Sequence, residues 1–363
     1  MKKILFVTNH LQFSDGVARA LLNLTNNLDS SQYDISVCAM FKKDEKFIQQ
    51  FNSNIKVFSV FNRYFRGMHK LLKLVPSKII LNKILKEDYD VIVAYQFGYP
   101  TELLASKHIK CPRIAFMHGY DTSAIKYHKV YDKIVCVAQS SAEDYKKIVE
   151  FPSKVTYCHN VLEIGDIEQK GNDCEDISSE FELMKKPRLI FVGRLSAEKG
   201  VERTLNALAK IKAENIDFSY SIVGDGPLKQ QITDKIDALN LQDNVKMFGF
   251  QKNPYKYLNL SDAYVCNSYG EGLCTACIEA TILNLDILST QVSGAKEIVT
   301  NPDVGVVCEN NDEAIYNCLK DYIINKYPND EWQNNKALAK QKWQKQNIIN
   351  KFNNIINEVV KWK

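Results

Sequence analysis

At 363 residues the chain is long enough for two domains that each bury a core. Its 45% hydrophobic and 25% charged content is ordinary for a soluble globular protein, and a net charge of +4 is too small to argue for nucleic acid. No apolar run reaches the roughly 18 residues that span a bilayer. The run after Met1-Lys-Lys stops at Thr8-Asn9-His10, which suits a first β-strand better than a signal peptide.

Apolar runs alternate with helical stretches along the whole chain, the pattern of a parallel α/β architecture. In the first half the expected strands are Ile4–Val7, Ile35–Ala39, Val57–Val60, Val91–Ala94, Arg113–Met117, Lys133–Val137 and Val155–Cys158. Ser14-Asp-Gly-Val-Ala-Arg19 follows the first of them and opens a helix from Ala18 to Leu28. There Gly16 lets a ligand approach the backbone, or Ser14 or Asp15 simply caps the helix. From Phe61 to Lys86 the chain carries seven lysines and arginines and no acidic residue. Phe61, Phe65, Met68, Leu72 and Val75 recur there at spacings of four, three, four and three, which predicts a basic amphipathic helix over 61–75 ending at Pro76. It either docks on an anionic membrane surface or packs its apolar side on its own domain. His118 follows the strand Arg113–Met117 and is expected to face a cleft.

The acidic stretch Gly165–Glu182 lacks apolar periodicity and reads as a linker or loop. The strand pattern restarts at Arg188 and continues at Phe218–Val223, Val245–Phe248, Ala263–Cys266, Asp286–Ser289 and Val304–Val307. The expected division is 1–164, a linker over 165–187, a second domain over 188–335 and a C-terminal helix over 336–363. That helix carries Trp343, Ile348, Ile349, Phe352, Ile355, Ile356 and Val359 to pack on either domain. Two doubly wound, Rossmann-like sheets with ligands at the C-terminal strand ends lining a cleft are the expected architecture.

Val192-Gly-Arg-Leu-Ser-Ala-Glu-Lys-Gly200 places Arg194 at a strand exit and Lys199 five residues on, before a helix over Val201–Ile211. Both cations can reach one diphosphate, the arginine as a planar fork and the lysine as a point charge. Ser221-Ile-Val-Gly-Asp-Gly-Pro227 is a strand running into a glycine turn, read equally as a phosphate loop or as a plain βα turn. The turn before Phe250 presents backbone to a flat nucleobase. Glu271-Gly-Leu-Cys-Thr-Ala-Cys-Ile-Glu279 sets two carboxylates eight positions apart across a strand–loop–helix junction. The helix N-terminus between them offers free N–H groups to an anion. Two acceptors flanking a positive pocket suit a ligand with hydroxyls and phosphates, such as a nucleotide-sugar. Cys274 and Cys277 form a CxxC without a second pair at zinc spacing, so no metal is expected there. Asp88-Tyr-Asp90 leads into a strand and reads as structural. The ten cysteines, most of them in apolar runs, read as buried thiols.

These motifs, followed by Ser293-Gly-Ala-Lys-Glu-Ile298, occur in the order found in the family-4 retaining glycosyltransferases of the GT-B fold, which the chain resembles most over residues 188–310 and more loosely before. It departs from that family in having Asp15-Gly16 where two adjacent glycines are usual, and Asn284-Leu-Asp286 where many relatives carry Gly-Lys-Pro. The resemblance implies that Arg194 and Lys199 bind the donor diphosphate, that Glu279 accepts from the ribose diol and that Glu271 contacts the transferred sugar. It further implies that the N–H groups of Gly272, Leu273 and Cys274 bind sugar and phosphate, that His118 contacts the sugar, and that Gly16, Gly193, Gly224 and Phe250 line the donor site. No metal or other cofactor is implied. The donor would be a UDP-sugar and the acceptor a glycan or lipid-linked saccharide for surface polysaccharide, with the protein in the cytoplasm or peripheral on the inner membrane face. The competing expectations are a non-catalytic nucleotide-sugar-binding partner subunit and a UDP-sugar epimerase.

Overall fold

The computed structural model describes residues 1–13, 15–61, 63–65, 67–119, 122–300, 304–326 and 340–360. Two compact units form, Glu163–Gln344 and Met1–Leu162 with the C-terminal segment from Lys345.

The first unit holds a seven-stranded sheet of β1 (Lys2–Leu11), β2 (Tyr33–Lys43), β3 (Lys56–Ser59), β4 (Val91–Ala94), β5 (Arg113–Met117), β6 (Lys133–Cys136) and β7 (Val155–Tyr157). Its order is β3-β2-β1-β4-β5-β6-β7 and the pairings are parallel. A parallel strand covered on both faces must be apolar at every position. Ile4, Leu5, Phe6 and Val7 accordingly have no exposed surface. The second unit holds β8 (Arg188–Val192), β9 (Ser219–Val223), β10 (Val245–Gly249), β11 (Ala263–Cys266), β12 (Asp286–Thr290) and β13 (Gly305–Cys308), in the order β10-β9-β8-β11-β12-β13. Each unit is therefore doubly wound, with strand order reversing between β1 and β4 and between β8 and β11. Both are Rossmann-like, as the GT-B fold requires, and the expected strands agree to within a few residues.

Three expectations need correction. The acidic stretch after residue 164 is helical, over Ile164–Asn172 and Glu175–Glu182, and belongs to the second unit. Its few apolar residues, Ile167, Ile177 and Phe181, are all buried, and Gly171 is so close to Leu283 that a Cβ would stand 2.6 Å from Cδ2. The basic helix over 61–75 is shorter than its pattern. Among the described residues of that stretch only Met68–Leu72 is helical before a second helix, Ser77–Ile84, because Gly67 adopts a φ of 92° and Pro76 separates the two. Phe61, Met68, Leu72 and Val75 pack on the unit's core, while Leu71 and Leu74 are exposed; Arg66 lies outside the described residues. The C-terminal stretch is divided. Trp343 is buried in the second unit, whereas the helix Lys345–Val360 joins the first. There Phe352 stacks on Phe6 at 6.0 Å, and Cys158 Sγ reaches Ile348 O at 3.7 Å.

Candidate active site

The turns that leave β8, β9 and β10 at their C-terminal ends lie backbone against backbone. Gly193 N donates to Val223 O at 3.0 Å, Leu195 N to Asp225 O at 3.0 Å and Gly224 N to Gly249 O at 2.8 Å. Side chains would not fit between them. A Cβ on Gly224, whose φ is 147°, would stand 1.8 Å from Gly193 O. The Val-Gly-Asp-Gly-Pro turn thus needs its first glycine for close packing.

Across the reversal point, the turn after β8 meets the turn after β11. Tyr269 N donates to Glu198 O at 2.8 Å. Gly200, at φ 64°, ends the short 3-10 turn Ala197–Lys199, and a Cβ there would stand 2.0 Å from Asn267 O. This contact brings two residues 72 apart in sequence into one ion pair. Lys199 Nζ donates to both carboxylate oxygens of Glu271, at 2.7 and 2.9 Å, and Ser268 Oγ donates to Oε1 at 2.6 Å. The Glu271 side chain is 9% exposed and that of Lys199 26%. Burial pushes the Glu271 carboxyl up against the pull of Lys199. Burial is also the largest influence on Lys199 and acts downward, but the Glu271 charge and hydrogen bonds outweigh it and raise the ammonium.

Gly272, Leu273 and Cys274 are buried in the loop that leads from Glu271 into the helix Thr275–Ile282, and among the described residues no side chain caps that helix. Its first-turn N–H groups are what an anion would engage. Glu279 sits in the second turn and accepts from Tyr255 Oη at 3.0 Å. Arg194 is exposed at the exit of β8. Glu198 beside it is held below its ordinary value, chiefly by the Ser196 hydroxyl and in smaller part by the Lys199 and Arg194 charges. Phe250 is 62% exposed beyond Gly249.

Sequence reading missed the residues that brace this loop. Arg203, 5% exposed, donates to Asp312 at 2.8 Å and Asn310 at 2.6 Å, with its guanidinium 4.4 Å from the centre of the Tyr269 ring. Asn267 Nδ2 donates to Thr204 Oγ1 at 2.9 Å, and Thr290 Oγ1 to Ser268 O at 2.8 Å. The one available signal was a charged residue on the buried face of the helix Val201–Ala213. Cys266 was missed as well. Its Sγ lies 3.7 Å from that of Cys274, and both lie within 4.8 Å of the Cys277 sulfur.

Two family models match, "Glycosyltransferase Family 4" over residues 14–164 and "Glycosyl transferases group 1" over 173–339, together most of the chain. The chain belongs to the family-4 type glycosyltransferases. Among similar proteins, an uncharacterized glycosyltransferase of Methanocaldococcus jannaschii is 34% identical over 48% of this chain and 44% of its own length. A Campylobacter jejuni α-1,4-N-acetyl-D-galactosaminyltransferase, named for a GalNAc-containing undecaprenol diphosphate substrate, is 26% identical over 90% of this chain and 89% of its own. The aligned segments span between 44% and 65% of the first four curated relatives. Among solved structures, HepE of Anabaena in complex with UDP and glucose superposes with a TM-score of 0.78 at 17% identity, over 99% of this chain and 100% of that one.

In the first unit, Asp15 caps the helix Gly16–Asn26, accepting from Val17 N at 2.8 Å, and a Cβ on Gly16 would project into open space; Ser14 lies outside the described residues. His118 stands at the exit of β5 with its ring 4.8 Å from that of Tyr95 and 6.1 Å from that of Phe116. Burial depresses its pKa to about 4, against a weaker upward pull from the Tyr95 backbone, so the imidazole is neutral at pH 7. Among the described residues its Nε2 is buried and has no hydrogen-bond partner. Asp90 accepts from Lys3 N at 2.9 Å, in keeping with a structural role for the Asp88-Tyr-Asp90 pair.

Proposed function

We propose that this glycosyltransferase moves a hexose or N-acetylhexosamine from a UDP-sugar to a glycan or lipid-linked acceptor in surface polysaccharide synthesis, with retention at the anomeric carbon. The observation that carries the donor reading is the Lys199–Glu271 pair. It joins a cation and a carboxylate from the two loops flanking the β8/β11 reversal, where doubly wound sheets bind their ligands. Departure of the diphosphate builds negative charge on the leaving oxygen and positive charge on the anomeric carbon. Lys199, Arg194 and the N-terminus of the helix Thr275–Ile282 answer the first, and Glu271 answers the second. Because the protein supplies these positive groups, the proposal includes no divalent metal at the diphosphate. Glu279 would accept from the ribose diol, steadied by Tyr255. The UDP bound to HepE and the acceptor in the name of the Campylobacter relative agree with this choice of substrates.

We place the acceptor reaction at the inner face of a membrane. Among the described residues no helix is long and apolar enough to cross one. Leu71, Leu74 and Ile79 are exposed beside the exposed Lys70 and Lys78, a mixture suited to anionic lipid headgroups. UDP release from a panel of UDP-sugars, with and without a polyprenyl-diphosphate saccharide, tests the activity. The anomeric proton coupling of the product tests retention, and turnover in EDTA tests metal independence. Nucleotide binding without acceptor-dependent UDP release from any donor would favour the partner-subunit reading.

A further inference from the structure

Sequence spacing argued against a metal because it saw only the CxxC; the fold adds a third thiol. Cys266 is the last residue of β11, Cys274 precedes the first turn of the helix Thr275–Ile282, and Cys277 lies within that turn. They are 2%, 6% and 1% exposed. All three sulfurs lie within 4.8 Å of one another, and the Cys266 and Cys274 sulfurs are 3.7 Å apart. Metal–thiolate bonds of about 2.3 Å in tetrahedral array set sulfurs about 3.8 Å apart. The spacing is therefore that of a ligand set, reached with little movement.

We propose that Cys266, Cys274 and Cys277 form a three-thiolate binding site for a thiophilic divalent cation of the zinc class, which adjoins the donor loop proposed above and takes no part in the transfer itself. Three sulfur donors select a soft or borderline ion and reject magnesium, which prefers oxygen. Each thiol releases its proton to solvent as its sulfur ligates, leaving a complex of net charge −1. The uncapped helix N-terminus favours that charge. Ser268 Oγ, 3.7 Å from Cys266 Sγ, donates to Glu271 and links the cluster to the carboxylate. A bound ion would pin the end of β11 to the first turn of the helix and so hold the intervening Glu271 loop.

The test is a cadmium titration of the reduced full-length protein, followed by thiolate-to-metal absorption in the ultraviolet and by zinc-dependent thermal shift. Expected are one cadmium ion per chain, a rise in Tm with zinc, and loss of affinity by about tenfold or more in Cys266→Ala and Cys277→Ala. Cys318→Ala, at a thiol outside the cluster, should bind as the wild type does. Absence of the absorption band in the wild type, or its persistence at full strength in Cys266→Ala and Cys277→Ala, overturns the proposal. The wild-type titration decides alone if the variants do not fold. Neither readout depends on sugar transfer, so failure here and failure of the transferase reading are distinguishable.

Discussion

Lys199→Ala separates the structural from the chemical role of the central ion pair. The variant leaves the Glu271 carboxyl, 9% exposed, with Ser268 but without its counter-charge. If the carboxylate stayed ionised it would lose two charge-assisted hydrogen bonds, worth about 1.5–3 kcal/mol each. Protonation is the cheaper route. Taking up a proton at pH 7 against an ordinary value of 4.5 costs about 3 kcal/mol at 1.36 kcal/mol per pH unit, which caps the loss. The expected destabilisation is thus about 2–3 kcal/mol at pH 7, or about 5–10 °C in Tm for a unit of this size. A folded-state pKa raised above the unfolded one destabilises increasingly as pH rises through the unfolded value. The penalty should therefore shrink to about 1 kcal/mol at pH 5. Lys199→Ala/Glu271→Gln should recover most of the stability, because a neutral amide needs no counter-charge, while UDP-sugar turnover stays low for want of the cation. Thermal unfolding at pH 5 and pH 7, with UDP-release kinetics, makes the comparison. An equal loss at both pH values would refute the pairing argument, and a double variant as active as Glu271→Gln alone would refute the phosphate role of Lys199.

Arg194 is exposed, so Arg194→Ala should change stability by no more than about 0.5 kcal/mol while weakening UDP about 10- to 100-fold by calorimetry; undiminished affinity would remove Arg194 from the donor site. His118 is held neutral with its pKa depressed from 6.5 to about 4, so the unfolded chain binds the extra proton between those values. The stabilisation is complete above pH 6.5 and lost as pH falls toward 4, by up to about 3 kcal/mol. Its signature in chemical denaturation is a shallower acid-side decline for His118→Phe than for the wild type. Gly200→Ala places a Cβ 2.0 Å from Asn267 O at a φ of 64°, and should cost about 1–3 kcal/mol and weaken UDP, both measurable by thermal shift; a neutral result would mean that the two turns do not touch.

Strand positions were legible because a strand covered on both faces advertises itself as an unbroken apolar run, as Val91–Ala94 and Ala263–Cys266 do. The helices after residue 164 were not, because each buries only a residue or two per turn among acidic neighbours, and Gly171 contributes to packing by lacking a side chain. Over 61–75 the opposite failure occurred. The helical spacing of Phe61, Phe65, Met68, Leu72 and Val75 is real in sequence, but a single positive φ at Gly67 breaks the helix, and periodicity does not register one backbone angle. At the site, Arg194, Lys199 and Glu271 were visible as residue types in the loops that follow strands, and Glu279 as a carboxylate on the next helix. Their partners were not, since Tyr255 reaches Glu279, and Lys199 reaches Glu271, only through the strand order.

That dependence on strand order explains why glycines crowd these turns while the charged groups themselves stand on ordinary backbone. Of the contacts that seat Lys199 against Glu271, one requires a left-handed residue at Gly200 in touch with Asn267, and its neighbour requires Gly224 in touch with Gly193. Arg203, Thr204 and Thr290 then fix the loop after β11 through hydrogen bonds with Asn267 and Ser268. A carboxylate on a loop braced from two elements cannot follow a mobile lysine, so the lysine is the partner that must yield when an anion arrives. Lys199 is also the more exposed of the pair, and its flexible stem can pivot without disturbing the backbone. On the donor reading proposed above, diphosphate binding would be an exchange of anions at one ammonium group. Glu271, already pushed upward by burial, would on that reading take a sugar hydroxyl as its replacement partner.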